Sequence, residues 1–335
     1  MSPSALRAAM VPVSRQMRAY FAPVVRGSEV PVVFDPGVSA MFPLDAPPAP
    51  WVDLGWIDSF QRSYETPTEI VRSGAKSLPA AQFRGPLEAC VEFQFRQWGK
   101  LQMALAGGSE HMNVLAPAGM MGAAPSGGPA LPAVAVLEGS TASEIIFGPG
   151  ATSTFTPGCM IAVDVDYRQE TGYVGSGIAG AYVSDPGAVK QDANYVRRVT
   201  FNVGRVVEVT GTSVLLAQPL LGGVPAVGSG AQVVIAFVDR EGGAFFQEWS
   251  ALFVAQEESG GRVCFYYPRL SPNPRAGGAS GFVREERVEI SERSSSIAAL
   301  ALKASFIALP ASDPLDGQTV VCYRSYYPSA MAALY

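Results

Sequence analysis

Charge is scarce in this chain. Only 16% of its 335 residues are Asp, Glu, Lys or Arg, against roughly 25% in an average globular protein. With 35 Gly and 27 Pro, the shortfall points to a turn-rich β protein with surface buried against other chains. Histidine is scarcer still. His111 stands alone, so a zinc site built on several histidines has no support. A Ser-His-Asp or Cys-His device would need that one histidine beside a nucleophile and an orienting acid. The surrounding "GGSEHMNVL" reads instead as a loop after a helix. Cys90, Cys159, Cys264 and Cys322 lie far apart and form no C-x-x-C, which removes metal-ligand spacing. Buried free thiols are the default reading, and disulfides within or between chains stay open. No apolar run reaches the ~18 residues that span a bilayer, so membrane insertion is not expected. The net charge of −5 disfavours a direct grip on nucleic acid, which needs a basic footprint.

The few charges are unevenly placed. Residues 1–26 carry Arg7, Arg15, Arg18 and Arg26 and no acid. This segment lacks the apolar core of a secretory signal, and Pro12 interrupts any long helix. It reads as an arm that docks on a neighbour, with a plain disordered end as the alternative. Residues 27–50, with "VPVVFDPGVSAMFPLDAPPAP", are too proline-dense for a helix or a central strand. They read as an extended linker.

What the chain does have is strand pattern. "LEACVEFQFR" is the clearest case: Leu87, Ala89, Val91, Phe93 and Phe95 share an apolar face, and the residues between them share a wet one. "QWGKLQMALAGG" then changes period. Trp98, Leu101 and Leu105 fall at helical spacing, and Gly107 and Gly108 stop the turn. Near the other end, "IAALALKASFIALP" aligns Leu300, Leu302, Ala304, Phe306 and Ala308 on one face. "GRVCFYYPRL" and "TVVCYRSYYP" read as further strands, and 271–296 as a loop with a charged hairpin. Between these ends lie short strands parted by glycine turns, the look of a small barrel or sandwich. There, "AQVVIAFVDREGGAFFQEWSALFVAQ" reads as two strands around a Gly-Gly turn. The expected organisation is an arm and linker (1–50), the first half of a β domain (51–132), an inserted β module (133–238) and the second half of the β domain (239–335).

Two further motifs carry possible chemistry. "GSGIAG" matches G-x-G-x-x-G through Gly175, Gly177 and Gly180, but Pro186 ends any following helix, so a flexible loop accounts for it better than a nucleotide fingerprint. Asp164 and Asp166 would share one strand face, with Glu170 nearby. A solvated strand face is the ordinary reading, and a paired-carboxylate or calcium site the other.

The stretch "WVDLGWIDSFQRSYETPTEIVRSG", followed by "LEACVEFQFRQWGKLQMALAGG", resembles the tail tube (major tail) proteins of tailed bacteriophages and related phage-derived tubes. Those proteins carry a hydrophobic–Asp–Leu–Gly–x–hydrophobic phrase and a polar hairpin. A strand of the form x-V-x-F-x-F and a short helix then follow. The match spans roughly residues 50–108, with a weaker echo in 297–327. The resemblance implies a mainly β fold: a tail-tube-like β-sandwich or barrel with one short flanking α-helix, an extended N-terminal arm and an inserted small β-barrel-like module. Copies would close into rings, and rings would stack into a hollow tube that passes DNA or cargo. Such a viral structural protein would sit in the virion tail, assembled in the bacterial host cytoplasm and extracellular after release. Its partners would be further copies of itself, then tape-measure, tail-terminator or sheath proteins. An acidic wall would let DNA slide through without binding it. No catalytic residue, cofactor or metal is implied. The arm and the hairpin after residue 60 would bridge rings. Arg7, Arg15, Arg18, Trp51, Trp56, Phe60, Tyr64 and Trp98 are the expected interface residues. The added length leaves the ring symmetry open.

In this reading Trp51, Leu54, Trp56, Ile57 and Phe60 form the strand that leaves the arm, with Gly55 as a bulge or close approach. Asp53 and Asp58 face water or a neighbouring subunit. Two other functions compete. An extracellular β-sandwich binding module would use Trp51 and Trp56 to stack on carbohydrate. An enzyme on a β scaffold would use Asp164 and Asp166 with their pKa values pushed apart.

Overall fold

Period-two alternation builds most of this molecule. The computed structural model describes residues 16–24, 30–37, 42–48, 50–66, 68–73, 78–85, 87–97, 99–119, 130–164, 197–241, 247–257, 260–273 and 302–328. Among the described residues strands far outweigh helix, so the fold is mainly β. In chain order the elements begin with β1 (Gln16–Pro23), β2 (Val52–Glu65), β3 (Thr68–Ser73), β4 (Leu78–Arg84), β5 (Glu88–Phe95) and α1 (Lys100–Gly107). Next come β6 (Glu110–Leu115), β7 (Val134–Ala135), β8 (Glu144–Ile146), β9 (Met160–Asp164), β10 (Val203–Val209), β11 (Ser213–Leu216) and β12 (Gly230–Arg240). The last are β13 (Trp249–Gln256), β14 (Arg262–Pro272), β15 (Leu302–Leu309), β16 (Ala311–Ser312), β17 (Thr319–Val320) and β18 (Tyr323–Tyr327).

Six strands close into an antiparallel barrel in the order β1–β2–β5–β15–β14–β13, and β13 bonds back to β1. Closure removes the open edges that invite stray pairing. The strand patterns near residues 90 and 305 find each other here: Phe93 lies opposite Ala304, and Val91 opposite Phe306. Large against small lets the inner faces interdigitate. Phe21, Phe93, Phe253 and Phe306 fill the interior with Trp249 and Tyr267. Helix α1 adds Leu101, Ala104 and Leu105 to that core. It ends at Gly108, whose φ of 59° is the left-handed cap that glycine adopts without strain. Leu87 does not join the inner face. It precedes the first paired residue of β5 and is exposed.

Residues 16–23, expected in an arm on a neighbour, are a barrel strand between β13 and β2. Ala19 and Phe21 point into the barrel core, while Tyr20 and Ala22 belong to a second cluster on its outer wall. The proline-rich segment folds back over that outer wall. Phe34 and Phe42 pack against Tyr20, Trp51 and Tyr266, with Phe42 edge-on to Tyr20 at 5.1 Å. Such a segment has few ladder bonds, so its carbonyls need other donors. Tyr20, Tyr266 and Tyr327 hydroxyls donate to the carbonyls of Leu44, Val32 and Pro36, and Arg262 donates to that of Phe42.

β2 is bent by two bulges. Ala19 of β1 faces both Leu54 and Gly55, and Phe93 of β5 faces both Ser59 and Phe60. Gly55 sits at φ +81°, as the sequence suggested, and Ser59 at φ 53°. Bulges raise twist and redirect a strand, and here β2 turns from barrel wall into a projecting ribbon. A Cβ at Gly55 would also approach the Gln97 side chain at 3.0 Å. Gly55→Ala is therefore expected to cost about 1–2 kcal/mol. A lower urea midpoint at unchanged slope would report it.

The second sheet runs β6–β12–β9–β10–β11–β8, with β7 beside β12. The Leu137 amide donates to the Ile146 carbonyl at 2.8 Å, linking the end of β7 to β8. The module thus curls toward a small barrel around Val136, Ile145, Phe147, Ile161, Val206 and Val214. It begins at β6, earlier than residue 133, and is left before β13. β12 and β13 are not a hairpin: β12 finishes this module and β13 enters the barrel. Residues 242–246, with the Gly-Gly pair, lie outside the described residues, as do 274–301.

Candidate functional site

Two features of the fold present chemistry or surface that packing does not use up. The first is a pocket where the first turn of α1 meets β6 and β12. Gly99, Lys100, Met103, His111, Phe237 and Asp239 line a cavity of about 220 Å³. His111 is not a loop residue. It lies in β6, fully buried, directly opposite Asp239 of β12. Its Nδ1 is 2.9 Å from Asp239 Oδ1 and its Nε2 is 3.2 Å from Asn113 Oδ1. Asn113 donates its amide to the carbonyls of Arg197 and Thr200 at 2.7 and 2.8 Å. That fixes its oxygen toward the imidazole, so Nε2 carries a hydrogen. The Nδ1–Oδ1 contact is the second hydrogen bond of the ring. Burial pushes the His111 pKa down, against the pull of the Asp239 and Asn113 hydrogen bonds. The ring also stacks on Phe201, centroids 4.8 Å apart.

Lys100 is the unusual member. Its Nζ is buried with no hydrogen-bond partner. It lies 5.2 Å from the Phe237 ring centroid and 5.6 Å from that of Phe201. Desolvation drives its pKa well below the usual lysine range, and the Asp239 charge opposes this. The sign of the stability effect follows. Between the lowered value and the ordinary ~10.4, the unfolded chain binds a proton that the folded chain refuses. Wild-type stability therefore rises with pH across that window. Lys100→Met, which keeps the volume and removes the unsatisfied amine, should add about 2 kcal/mol at pH 7. Urea midpoints of the two proteins should then converge as the pH approaches 10. Parallel midpoints at every pH would contradict the burial of a free amine.

The second feature is the ribbon. β2 and β5 continue into β3 and β4, which among the described residues pair only with each other. Tyr64 is 74% exposed and Ile70 47%. Of the expected interface residues, Tyr64 alone stands fully out among those described. Trp51 is a correction: it is buried within its own chain, edge-on to Phe42 and Tyr266. Trp56 is half-buried beneath the Arg18 guanidinium at 5.5 Å. Arg18 is itself held by Asp53 and Asp45. Phe60 packs on Phe253 and Phe265 inside the barrel. Asp53 and Asp58 both pair within the chain, Asp58 with Arg96 at 2.6 and 2.7 Å. Arg7, Arg15 and Trp98 lie outside the described residues.

Asp164 departs from a solvated strand face: it is 6% exposed at the end of β9. Asp166, Glu170 and the 175–180 glycine loop lie outside the described residues. Among the described residues no group of three or more His, Cys, Asp or Glu is arranged to hold a metal. No helix described is long and apolar enough to cross a membrane. The four cysteines are free thiols, and burial pushes Cys264 up to about 12.

Sequence reasoning missed Lys100 and Asp239 altogether. A lysine at a helix start after glycine looks solvated, and only the crossing of β6 and β12 over α1 buries it. The one available signal was local: His111, Asn113 and Leu115 alternate in "EHMNVL". Comparison with protein-family models and with curated proteins finds no match to this chain.

Proposed function

We propose that this chain is a structural subunit that assembles with copies of itself into stacked rings, forming a hollow tube of the phage tail-tube kind. DNA or another cargo would pass through it. The observation that carries the reading is the β3–β4 ribbon projecting from a closed barrel. A lone two-stranded hairpin is marginally stable in water. Ile70 is exposed on this one and Tyr64 just before it at the end of β2, and among the described residues β3 and β4 have no other partner strand. A second copy would supply the missing cover. The six strands of the barrel close on themselves, but β18 flanks β14 with no second partner strand among the described residues, and Tyr326 on it is exposed. An edge strand and a ribbon at different places on one chain give the two kinds of contact a stacked ring needs: around the ring and between rings.

A carbohydrate platform draws less support, because Trp51 is consumed by the core and Trp56 lies under Arg18. Negative-stain microscopy of the purified protein tests the proposal. Rings or tubes of uniform width are expected. Single particles the size of one chain at every protein and salt concentration would overturn it.

A further inference from the structure

The Lys100 pocket has no part in assembly as proposed above, and its chemistry points elsewhere. We infer that it is a covalent binding site for a small apolar aldehyde or ketone, held as an imine on Lys100 Nζ. Three observations converge. The amine is buried without a hydrogen-bond partner, between the rings of Phe201 and Phe237. A cavity of about 220 Å³ opens beside it, lined by Met103 and Phe237. A hydrogen-bonded acid–base pair, Asp239 and His111, lines the same cavity.

Each part has a role in imine formation. A lysine attacks a carbonyl only as the free amine, and a hydrophobic site supplies that form at neutral pH. Desolvation of Lys100 acts in this direction. Nζ bonds to the carbonyl carbon, and the carbonyl oxygen takes up a proton to give the carbinolamine. Loss of that hydroxyl as water needs a second proton, which the Asp239–His111 pair is placed to deliver. The nitrogen loses both of its hydrogens across the two steps, so one amine and one carbonyl give one imine and one water. If the imine is protonated, the Asp239 carboxylate is its counter-ion. The cavity is smaller than the roughly 300–1,000 Å³ of drug-sized sites. It should therefore admit compounds such as propanal and reject polycyclic aldehydes.

The chain has few competing amines. Its other lysines are Lys76, Lys190 and Lys303. Lys303 is exposed on β15, which makes it the internal reference. Folded protein at pH 7 is treated with propanal and cyanoborohydride, and each lysine is followed by peptide mass mapping. Lys100 should be alkylated at least ~10-fold faster than Lys303, because a desolvated amine is free to attack at neutral pH. Pyrene-carboxaldehyde should not show this preference, and the preference should vanish in urea. Equal rates at Lys100 and Lys303 in the folded protein would overturn the inference. So would equal preference for the polycyclic aldehyde. Tube formation is read separately by microscopy, so failure of one proposal leaves the other standing.

Discussion

Phe93→Ala should lower the unfolding free energy by about 4 kcal/mol, the usual cost of emptying a buried phenylalanine site. Phe93 is 2% exposed and sits among four rings. Its centroid lies 4.9 Å from Phe95, 5.3 Å from Phe253, 5.6 Å from Phe306 and 6.4 Å from Phe21. These rings come from β5, β13, β15 and β1, so one deletion loosens four barrel strands at once. Their backbones are locked in ladders and cannot collapse into the void. Phe93→Leu keeps most of the volume and should cost far less, about 1.5 kcal/mol. Denaturant titrations of both variants give the comparison. A drop below about 1 kcal/mol for the alanine variant would mean that the barrel interior is not packed at this point.

The second large effect concerns assembly rather than folding. Tyr64→Glu combined with Ile70→Glu should abolish higher-order species while leaving the single chain as stable as before. Both side chains are exposed on the ribbon and touch no core cluster. Surface substitutions of that kind usually stay within about 0.5 kcal/mol. In an interface the same change buries carboxylates against apolar surface, at several kcal/mol each unless they are paired. Repeated at every copy around and along a tube, that penalty leaves nothing assembled. Thermal melts should coincide for wild type and variant. A variant that melts far lower would place Tyr64 or Ile70 in the fold, not on its outside.

The sequence was legible where periodicity and packing agree. β5 and β15 declared themselves through Ala89–Phe95 and Ala304–Ala308, and they pair in the barrel. Gly55 was legible too, because few backbone states require glycine inside a strand. β1 was hidden by arginines and flanking prolines, although Arg18 only crosses the outer wall to reach Asp53. The β12–β13 pair misled because a Gly-Gly step between two apolar runs looks like a hairpin turn. Long-range topology, not local pattern, sends the two strands to different sheets. The pocket was least legible. Lys100, His111 and Asp239 are separated along the chain and meet only once α1, β6 and β12 are packed. Trp51 and Trp56, the most conspicuous residues in the sequence, are covered by Phe42 and Arg18 from segments that read as linker and arm.

In the proposed assembly the exposed ribbon is completed by another copy of this chain. Sedimentation velocity of wild type beside the Tyr64→Glu, Ile70→Glu variant, over a range of concentrations, tests it most directly. Fast-sedimenting assemblies that grow with concentration are expected in the wild type, and single chains throughout in the variant. Wild type that stays as single chains at every concentration, or a variant that assembles equally well, would contradict it.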